Sequence, residues 1–495
     1  MQAPLRPAAR VAWPARVSAL GRWPFFLLFF GIGALMGLAY PPFDLAPLGL
    51  LGLAVALGVV PLLPRSAAWA GWALGYGHFA VALHWIVEPF LVDVASHGWM
   101  APFALVFMAG GLALFWALAF GLGARLGRLG IALALVAAEM ARAHVLSGFP
   151  WAIPSHGLIG TLGYWPAAWV GPFGVLLGLV LAAWALGRAH GAFGAALFAA
   201  VLALYVAPLP APPAPEAAAP LVRLVQPNAP QDEKWDPARM PVFFDRMMAA
   251  TRAGDPVDLT IWPETAVPFL MHQGARYYSA MAEAARGGEV MLGLRRVEGK
   301  RIFNSAVVVG PDGDISAPYD KAHLVPFGEY IPLGHVLERF GLRGLAQSEG
   351  GGFSSGGVQP LVETGAGAVR VLICYEGIFP EEIATEQRPD MLVVITNDAW
   401  FGGFAGPFQH LALAQARAVE FGLPVLRSAN TGVSAVIDAR GRILAQLGMG
   451  EEGYLDHPRP PLRPVTLYAR TGDWGALVAL LTLFALVLTR ARKFD

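Results

Sequence analysis

Three short stretches of the chain put reactive groups where an apolar strand edge is the default. "IWPETAVP" carries Glu264 directly after a strand-like run and a proline. "YDKAHLVPFGEYIP" carries Lys321 and Glu329 in a long polar connection, and "VLICYEGIFP" carries Cys374, Tyr375 and Glu376 at the end of another strand-like run. Reactive groups in α/β sheets gather at the carboxyl ends of strands, so three such ends brought together assemble a carboxylate, an ammonium and a thiol. The chemistry of that set is nucleophilic. The attacking species is the thiolate, yet a free cysteine with a pKa of about 8.5 is mostly protonated at neutral pH. An ammonium beside it favours the thiolate, and a carboxylate can take the proton as general base. The same ammonium can stabilise the oxyanion of a tetrahedral intermediate.

Each residue also has a plainer role. A lone cysteine in an apolar strand is commonly a small core hydrophobe, a glutamate after proline a helix N-terminal charge, and a loop lysine a solvated surface group. Cys374 is the single cysteine of the chain, which excludes an internal disulfide and a Cys-rich metal site. His323 and His410 have no second ligand at metal spacing, and Walker, dinucleotide and H-E-x-x-H fingerprints are absent. The expectation is a reaction with neither metal nor cofactor.

The elements that must position these groups follow from periodicity. Strands are predicted at 221–226, 258–262, 289–297, 304–310, 369–374, 391–397, 424–429 and 434–438, and helices at 238–253, 275–286 and 408–421. Strands alternating with helices make an α/β domain with a sizeable core. "SEGGGFSSGG", 348–357, has the composition of a flexible, non-structural loop with room for a mobile flap.

Outside this region the composition changes. The whole chain is 56% hydrophobic and 14% charged, against roughly 45–50% and about 25% in soluble domains. Its 35 basic and 35 acidic residues cancel, so no basic field points to nucleic acid. Apolar stretches at 24–40, 46–63, 68–89, 101–124, 128–146, 166–187, 189–207 and 474–490 predict eight transmembrane helices. Arg6, Arg10, Arg16, Arg22, Arg65, Arg125, Arg128, Arg188, Arg490, Arg492 and Lys493 then fall on one side. That side is cytoplasmic by the positive-inside rule, and residues from about 208 to 473 face outward. "GLAYPPFD" after the first apolar run offers no small-x-small cleavage site, which favours an uncleaved first span over a signal peptide. Glu139 and Arg142, three apart within the fifth span, are expected to pair locally. The predicted organisation is a bundle over 1–207, a Pro/Ala linker over 208–220, a catalytic domain over 221–465 and a final helix with its tail over 466–495.

"WPET", "DKAHLVPFGEYIP", "CYEGIFP" and "NDAWFGGFAGPFQHLALAQARAVEFGLPVLRSANTG" together resemble the nitrilase superfamily and, within it, the apolipoprotein N-acyltransferases. "LSGFPW" and "YARTGDW" extend the likeness over nearly the whole chain. The resemblance implies a multi-span helical membrane bundle joined to a nitrilase-like αββα sandwich with a Glu–Lys–Cys triad. Glu264 is then the general base, Lys321 the stabiliser of tetrahedral intermediates and Cys374 the nucleophile. Glu329 and Glu376 match further acidic positions of the family. Trp235, Tyr375, Trp400 and Phe401 match positions associated with substrate access or binding. Asn304, Asn397 and Asp398 read as scaffold polar residues rather than chemistry.

The implied reaction is ping-pong. Cys374 attacks the sn-1 ester of a phospholipid, typically phosphatidylethanolamine, and the resulting thioester is taken by the N-terminal amine of a diacylglyceryl-cysteine apolipoprotein. The implied location is the bacterial inner membrane, multi-pass, with the catalytic domain in the periplasm. Two rivals differ in class. A membrane-tethered amidase acting on a small carbon–nitrogen substrate shares the triad and is separated by apolar access to the thiol. A multi-span transporter with an outward binding domain predicts an internal repeat, which the sequence does not show, and leaves the Cys374 corner unexplained.

Overall fold

The computed structural model describes residues 17, 19–187, 192–214, 216–332, 352–357 and 360–491. Its catalytic half is built on two six-stranded sheets. One has the order β12-β1-β2-β3-β4-β5, with β1 Leu221–Gln226, β2 Leu259–Ile261, β3 Glu289–Glu298, β4 Arg301–Val309, β5 Tyr319–Asp320 and β12 Gly453–Pro458. The other has the order β11-β10-β9-β8-β7-β6, with β6 Val362–Thr364, β7 Gly367–Ile373, β8 Met391–Thr396, β9 Val425–Ala429, β10 Ser434–Ile437 and β11 Ile443–Leu447. All eight predicted strands are present. β5, β6, β11 and β12 are additional, and they are short or only partly buried, so their apolar alternation is weak.

Side-chain alternation explains why the sheets stack. In β7 and β8, Val371, Ile373, Met391, Val393 and Ile395 face the other sheet and meet Val222, Leu224, Leu259, Ile261, Met291, Ala306 and Val308. The intervening Leu372, Leu392 and Val394 face outward onto Leu411, Ala414 and Ala418 of a helix over Gly406–Phe421. On the far side, Val290, Leu292, Leu294, Val307 and Val309 pack against helices over Met240–Arg252 and Ala275–Ala285. The result is an αββα sandwich. Strands buried on both faces read as continuous apolar runs, such as "MLVVIT" in β8. Each fully buried Val, Leu or Ile contributes about 1.5–3 kcal/mol.

The longer helices of the amino-terminal half are α1 Arg22–Gly37, α2 Ala46–Val59, α3 Ala67–Ala82, α4 Ala101–Gly123, α5 Gly127–His144, α6 Ala167–Leu186 and α7 Ala192–Val206. In the catalytic half, Met240–Arg252, Ala275–Ala285 and Gly406–Phe421 become α8, α9 and α10, followed by α11 Leu467–Thr471 and α12 Trp474–Ala491. Helix is thus found in each of the eight apolar stretches, with shorter bounds than expected in all but the last. Two helical segments among the described residues, Val94–His144 and Ala167–Leu186, are long and apolar enough to cross a bilayer. Arg22–Gly37, Ala46–Leu62 and Trp474–Arg490 are shorter apolar helices. The predicted stretch 68–89 is cut because the α-helix ends at Ala82 and a 3-10 segment, His84–Leu91, contains Pro89. Sixteen residues of α-helix rise about 24 Å, less than the roughly 30 Å of a hydrocarbon core. Arg6, Arg10, Arg16, Arg188, Arg492 and Lys493, on which part of the orientation argument rests, lie outside the described residues.

Glu139 and Arg142 do pair, with Arg142 Nη2 donating to Glu139 Oε2 at 2.5 Å. Trp116 Nε1 donates to the same carboxylate at 2.6 Å, and Arg142 Nη1 reaches the Phe149 carbonyl at 2.5 Å. The pair therefore fixes the chain that leaves α5 toward "GFPW".

Candidate active site

β2, β7 and the β4–β5 side of the first sheet all end at one corner of the sandwich. β2 runs into Trp262 and Pro263 and turns at Glu264. The next residue, Thr265, takes a positive φ of 43°. β3 passes directly beneath this turn, and only glycine fits there. A Cβ at Gly293 lies 2.6 Å from Thr265 N and 2.7 Å from Glu264 Cα, both backbone atoms. β7 delivers Cys374 at its end with φ +53°, a left-handed conformation that a side-chain-bearing residue adopts at a cost. A single 3-10 turn, Cys374–Ile378, follows. Lys321 comes directly after β5, its N–H donating to Asn304 O of β4 at 2.8 Å.

The predicted charges meet here. Lys321 Nζ lies 2.8 Å from Glu329 Oε1 and 3.7 Å from Glu264 Oε1. Glu264 bridges the two sheets, accepting from Asn304 Nδ2 at 2.7 Å on Oε1 and from the Asn397 N–H at 2.9 Å on Oε2. Glu329 is held by the Val325 N–H at 2.8 Å. Burial alone lowers the affinity of the Lys321 ammonium for its proton, but the Glu329 and Glu264 carboxylates outweigh it and raise its pKa. Lys321 is therefore a fixed cation.

Two opposing influences act on Cys374. Burial pushes the thiol up, the Glu264 carboxylate pushes it further, and the opposing Lys321 charge does not compensate. This environment favours the thiol form over the thiolate. The Glu264 and Lys321 charges both act on this sulfur, in opposite directions.

Glu376 is a hub that fixes the Cys374 turn against the Lys321 loop. Its Oε1 accepts the Ala322 N–H at 2.6 Å and the His323 N–H at 3.2 Å, and its Oε2 accepts the Ile373 N–H at 2.7 Å. The Tyr319 hydroxyl donates to both oxygens at 3.2 Å. Burial pushes Glu376 up to about 7, against these backbone donors and Lys321.

The stretch 348–357 is not uniformly a free loop. Residues 348–351 lie outside the described residues, but Phe353, Ser354 and Gly356 donate N–H groups to Glu329 O, Ile302 O and Lys321 O at 2.9, 2.7 and 2.9 Å. Gly356 is required, because a Cβ there sits 2.4 Å from Asp320 O. This part of the stretch braces the loop that carries Lys321 and Glu329.

The remaining predicted residues ring the corner. Tyr375 packs edge-on against Phe379 at 5.0 Å and His323 at 5.7 Å. Phe401 lies 5.0 Å from Trp85 and 6.0 Å from Trp151, both from the amino-terminal half, and Trp400 is half-buried in the same turn, Asp398–Phe401. Trp235 is half-buried, with the Arg295 guanidinium over its ring at 4.6 Å.

Two features escaped the sequence reading. Lys234, beside Trp235, donates to Glu264 O at 3.2 Å and Thr265 Oγ1 at 3.0 Å, tying down the turn that carries Glu264. Under the thiol's turn, Asp398 is held well below the usual carboxylate range, because Arg427 and His410 outweigh burial. Burial lowers the His410 pKa, its Nδ1 lies 3.0 Å from Asp398 Oδ1 and its Nε2 lies 3.2 Å from Cys374 O, so the ring links Asp398 to the Cys374 turn. The available signal was Arg427, a charge inside the strand "PVLRSA", which has to meet a buried partner.

The corner faces the helical half. Trp151 Nε1 donates to Gln409 Oε1 at 2.8 Å, and Gln409 Nε2 reaches Pro41 O at 3.1 Å. His323 Nε2 contacts Ser147 O at 3.1 Å, and the Tyr164 hydroxyl donates to Glu420 at 2.6 Å. Tyr375, Ile378, Phe379, Ala405 and Leu413 belong to the same apolar cluster as the cores of α1 to α6.

Comparison with known proteins agrees in both halves. Residues 221–460 match the carbon-nitrogen hydrolase family, and residues 32–185 match the apolipoprotein N-acyltransferase N-terminal domain. The chain is 37% identical to the apolipoprotein N-acyltransferase of Caulobacter vibrioides, covering 97% of each chain. It is 36% identical to that of Rhodopseudomonas palustris, covering 93% of this chain and 94% of the relative. A protein of the same name from Bradyrhizobium diazoefficiens is also 36% identical over 94% of this chain and 95% of its own. With the thiol, the lysine and the two glutamates at one corner of a carbon-nitrogen hydrolase sandwich, the chain belongs to the apolipoprotein N-acyltransferase family, acyltransferases of the nitrilase superfamily.

Proposed function

We propose that the protein moves the sn-1 acyl chain of a phospholipid, with phosphatidylethanolamine as the expected donor, to the N-terminal amine of the diacylglyceryl-cysteine of apolipoproteins. As the Cys374 sulfur attacks the ester carbonyl, Glu264 takes its proton and Lys321 faces the developing oxyanion. Collapse expels the lysophospholipid alkoxide, which receives the proton from Glu264, and leaves a thioester on Cys374. The acceptor amine then attacks this thioester, and the sulfur leaves and is reprotonated. Glu329 fixes the lysine, and Glu376 holds the loop and the thiol's turn in register. No cofactor is involved, because the thioester stores the acyl group.

One observation carries this reading over a small-substrate amidase: the turn that bears Cys374 is packed into the apolar core of the helical half. A water-soluble amide needs a polar approach, whereas an acyl chain needs an apolar one that keeps water from the thioester. We place the protein in the bacterial inner membrane with the helices as a multi-span bundle over 1–207 and a last span within 466–495. The catalytic domain, 221–465, faces the periplasm. Arg22, Arg65, Arg125, Arg128 and Arg490 support this orientation. Trp235, Tyr375, Trp400 and Phe401 then border the substrate path.

The test is product analysis with purified protein, sn-1- or sn-2-labelled phosphatidylethanolamine and a synthetic diacylglyceryl-cysteine peptide. A triacylated peptide carrying sn-1 label, with lysophospholipid in equal amount, is expected. Free fatty acid as the sole acyl product would favour a hydrolase instead.

A further inference from the structure

Half of the Asn304 carboxamide is partnered and half is not. Nδ2 donates to Glu264 Oε1 at 2.7 Å and lies 3.4 Å from Glu329 Oε1. Those contacts fix the orientation, since a flipped group would set its oxygen against two carboxylate oxygens. Oδ1 is then buried without a hydrogen-bond partner among the described residues, on a side chain only 2% exposed. A buried acceptor without a donor costs free energy comparable to a lost hydrogen bond, and it persists where a function supplies the donor. The surroundings say which donor fits. Asn304 shares the inner face of β4 with Ala306 and Val308, between the sheets, and touches both carboxylates that flank Lys321. An acceptor oxygen beside two anionic groups suits an N–H, above all that of an amine.

We propose that Asn304 Oδ1 accepts an N–H of the incoming α-amine, making Asn304 a catalytic residue of the second half-reaction and a selector for primary amines. This rests on the thioester mechanism proposed above. The neutral amine carries two N–H bonds. As its nitrogen forms the C–N bond, one N–H proton passes to Glu264, and the other stays on the nitrogen as the amide N–H, held by Asn304 Oδ1. The C–S bond then breaks, and the Glu264 proton returns to the Cys374 sulfur. A secondary amine has a single N–H, which Glu264 needs, so none is left for Asn304.

The experiment isolates the labelled acyl-enzyme in detergent, then chases it with a diacylglyceryl-cysteine peptide bearing either a free or an N-methylated α-amine. With wild-type protein, the free amine is expected to react about 10²-fold faster than its N-methyl form. In Asn304→Ala, acylation by phospholipid is expected to fall by about tenfold at most, aminolysis by about 10²-fold, and the preference for the primary amine to shrink to a few-fold. Equal losses in the two half-reactions, or an unchanged amine preference in the variant, would show that Asn304 acts only by positioning Glu264. If the variant does not fold, the wild-type comparison still decides: acylation of both amines within about threefold overturns the proposal. Failure of wild-type protein to form any labelled acyl-enzyme overturns the thioester mechanism itself, a distinguishable result.

Discussion

Because burial and the Glu264 carboxylate both disfavour a thiolate at Cys374, the proposed mechanism makes deprotonation part of the attack rather than a property of the resting enzyme. Alkylation of Cys374 by iodoacetamide should therefore rise about tenfold per pH unit from about pH 7 to about pH 9. A rate that levels off below about pH 8 would reveal a preformed thiolate. Glu376 offers a second test. Its carboxyl is raised from 4.5 to about 7, so the folded state binds more protons than the unfolded state between those values. The stability it contributes is fully present below about 4.5 and is lost as pH rises through about 7. The melting temperature of wild type should fall relative to Glu376→Gln over that window, and a constant difference would contradict the shift. Glu264, Lys321 and Cys374 stood out because each sits in a motif with a charged or nucleophilic group where an apolar edge or a plain loop is the default. Asn304 and Lys234 were not, since their importance lies in contacts made across 40 and 30 positions of sequence.

Among the elements, the turn after β2 depends on close passage of β3 at Gly293. Gly293→Ala places a Cβ against the backbone of Glu264 and Thr265, and Glu264, the proposed base, has to move. A displacement of about 1 Å at a reacting group costs roughly 10²-fold in rate. Thioester formation in Gly293→Ala should drop by about that factor while circular dichroism stays native; near-wild-type acylation would show that the turn tolerates the shift. The central strands were readable because strands buried on both faces are continuously apolar. β5, with two residues, and β12, at a sheet edge, carry too little pattern to be seen. Helix bounds in the amino-terminal half were overextended because apolar composition continues past Ala82 while Pro89 does not permit the α-helix to do so.

For the whole molecule, the consequential arrangement is the seam between the sandwich and the helices. Trp151 joins them by its hydrogen bond to Gln409 and its contacts with Trp85, Phe401 and His410. Removing that ring should impair a lipid donor more than a small one. Trp151→Ala is expected to slow acylation by long-chain phospholipid about tenfold more than acylation by a soluble short-chain thioester, measured by intact-protein mass. Equal losses would point to a merely structural seam. The family likeness of both halves was visible in ordered motifs, but their mutual packing was not, because no local pattern encodes which apolar faces meet.

The central claim is that the acyl group resides on Cys374 between donor and acceptor. It is tested most directly by incubating the purified protein with acyl-labelled phosphatidylethanolamine and no acceptor. The account predicts label on the protein that hydroxylamine releases, that the diacylglyceryl-cysteine peptide discharges, and that Cys374→Ala lacks. Label that persists in Cys374→Ala, or acyl transfer by wild type with no labelled intermediate, would contradict it.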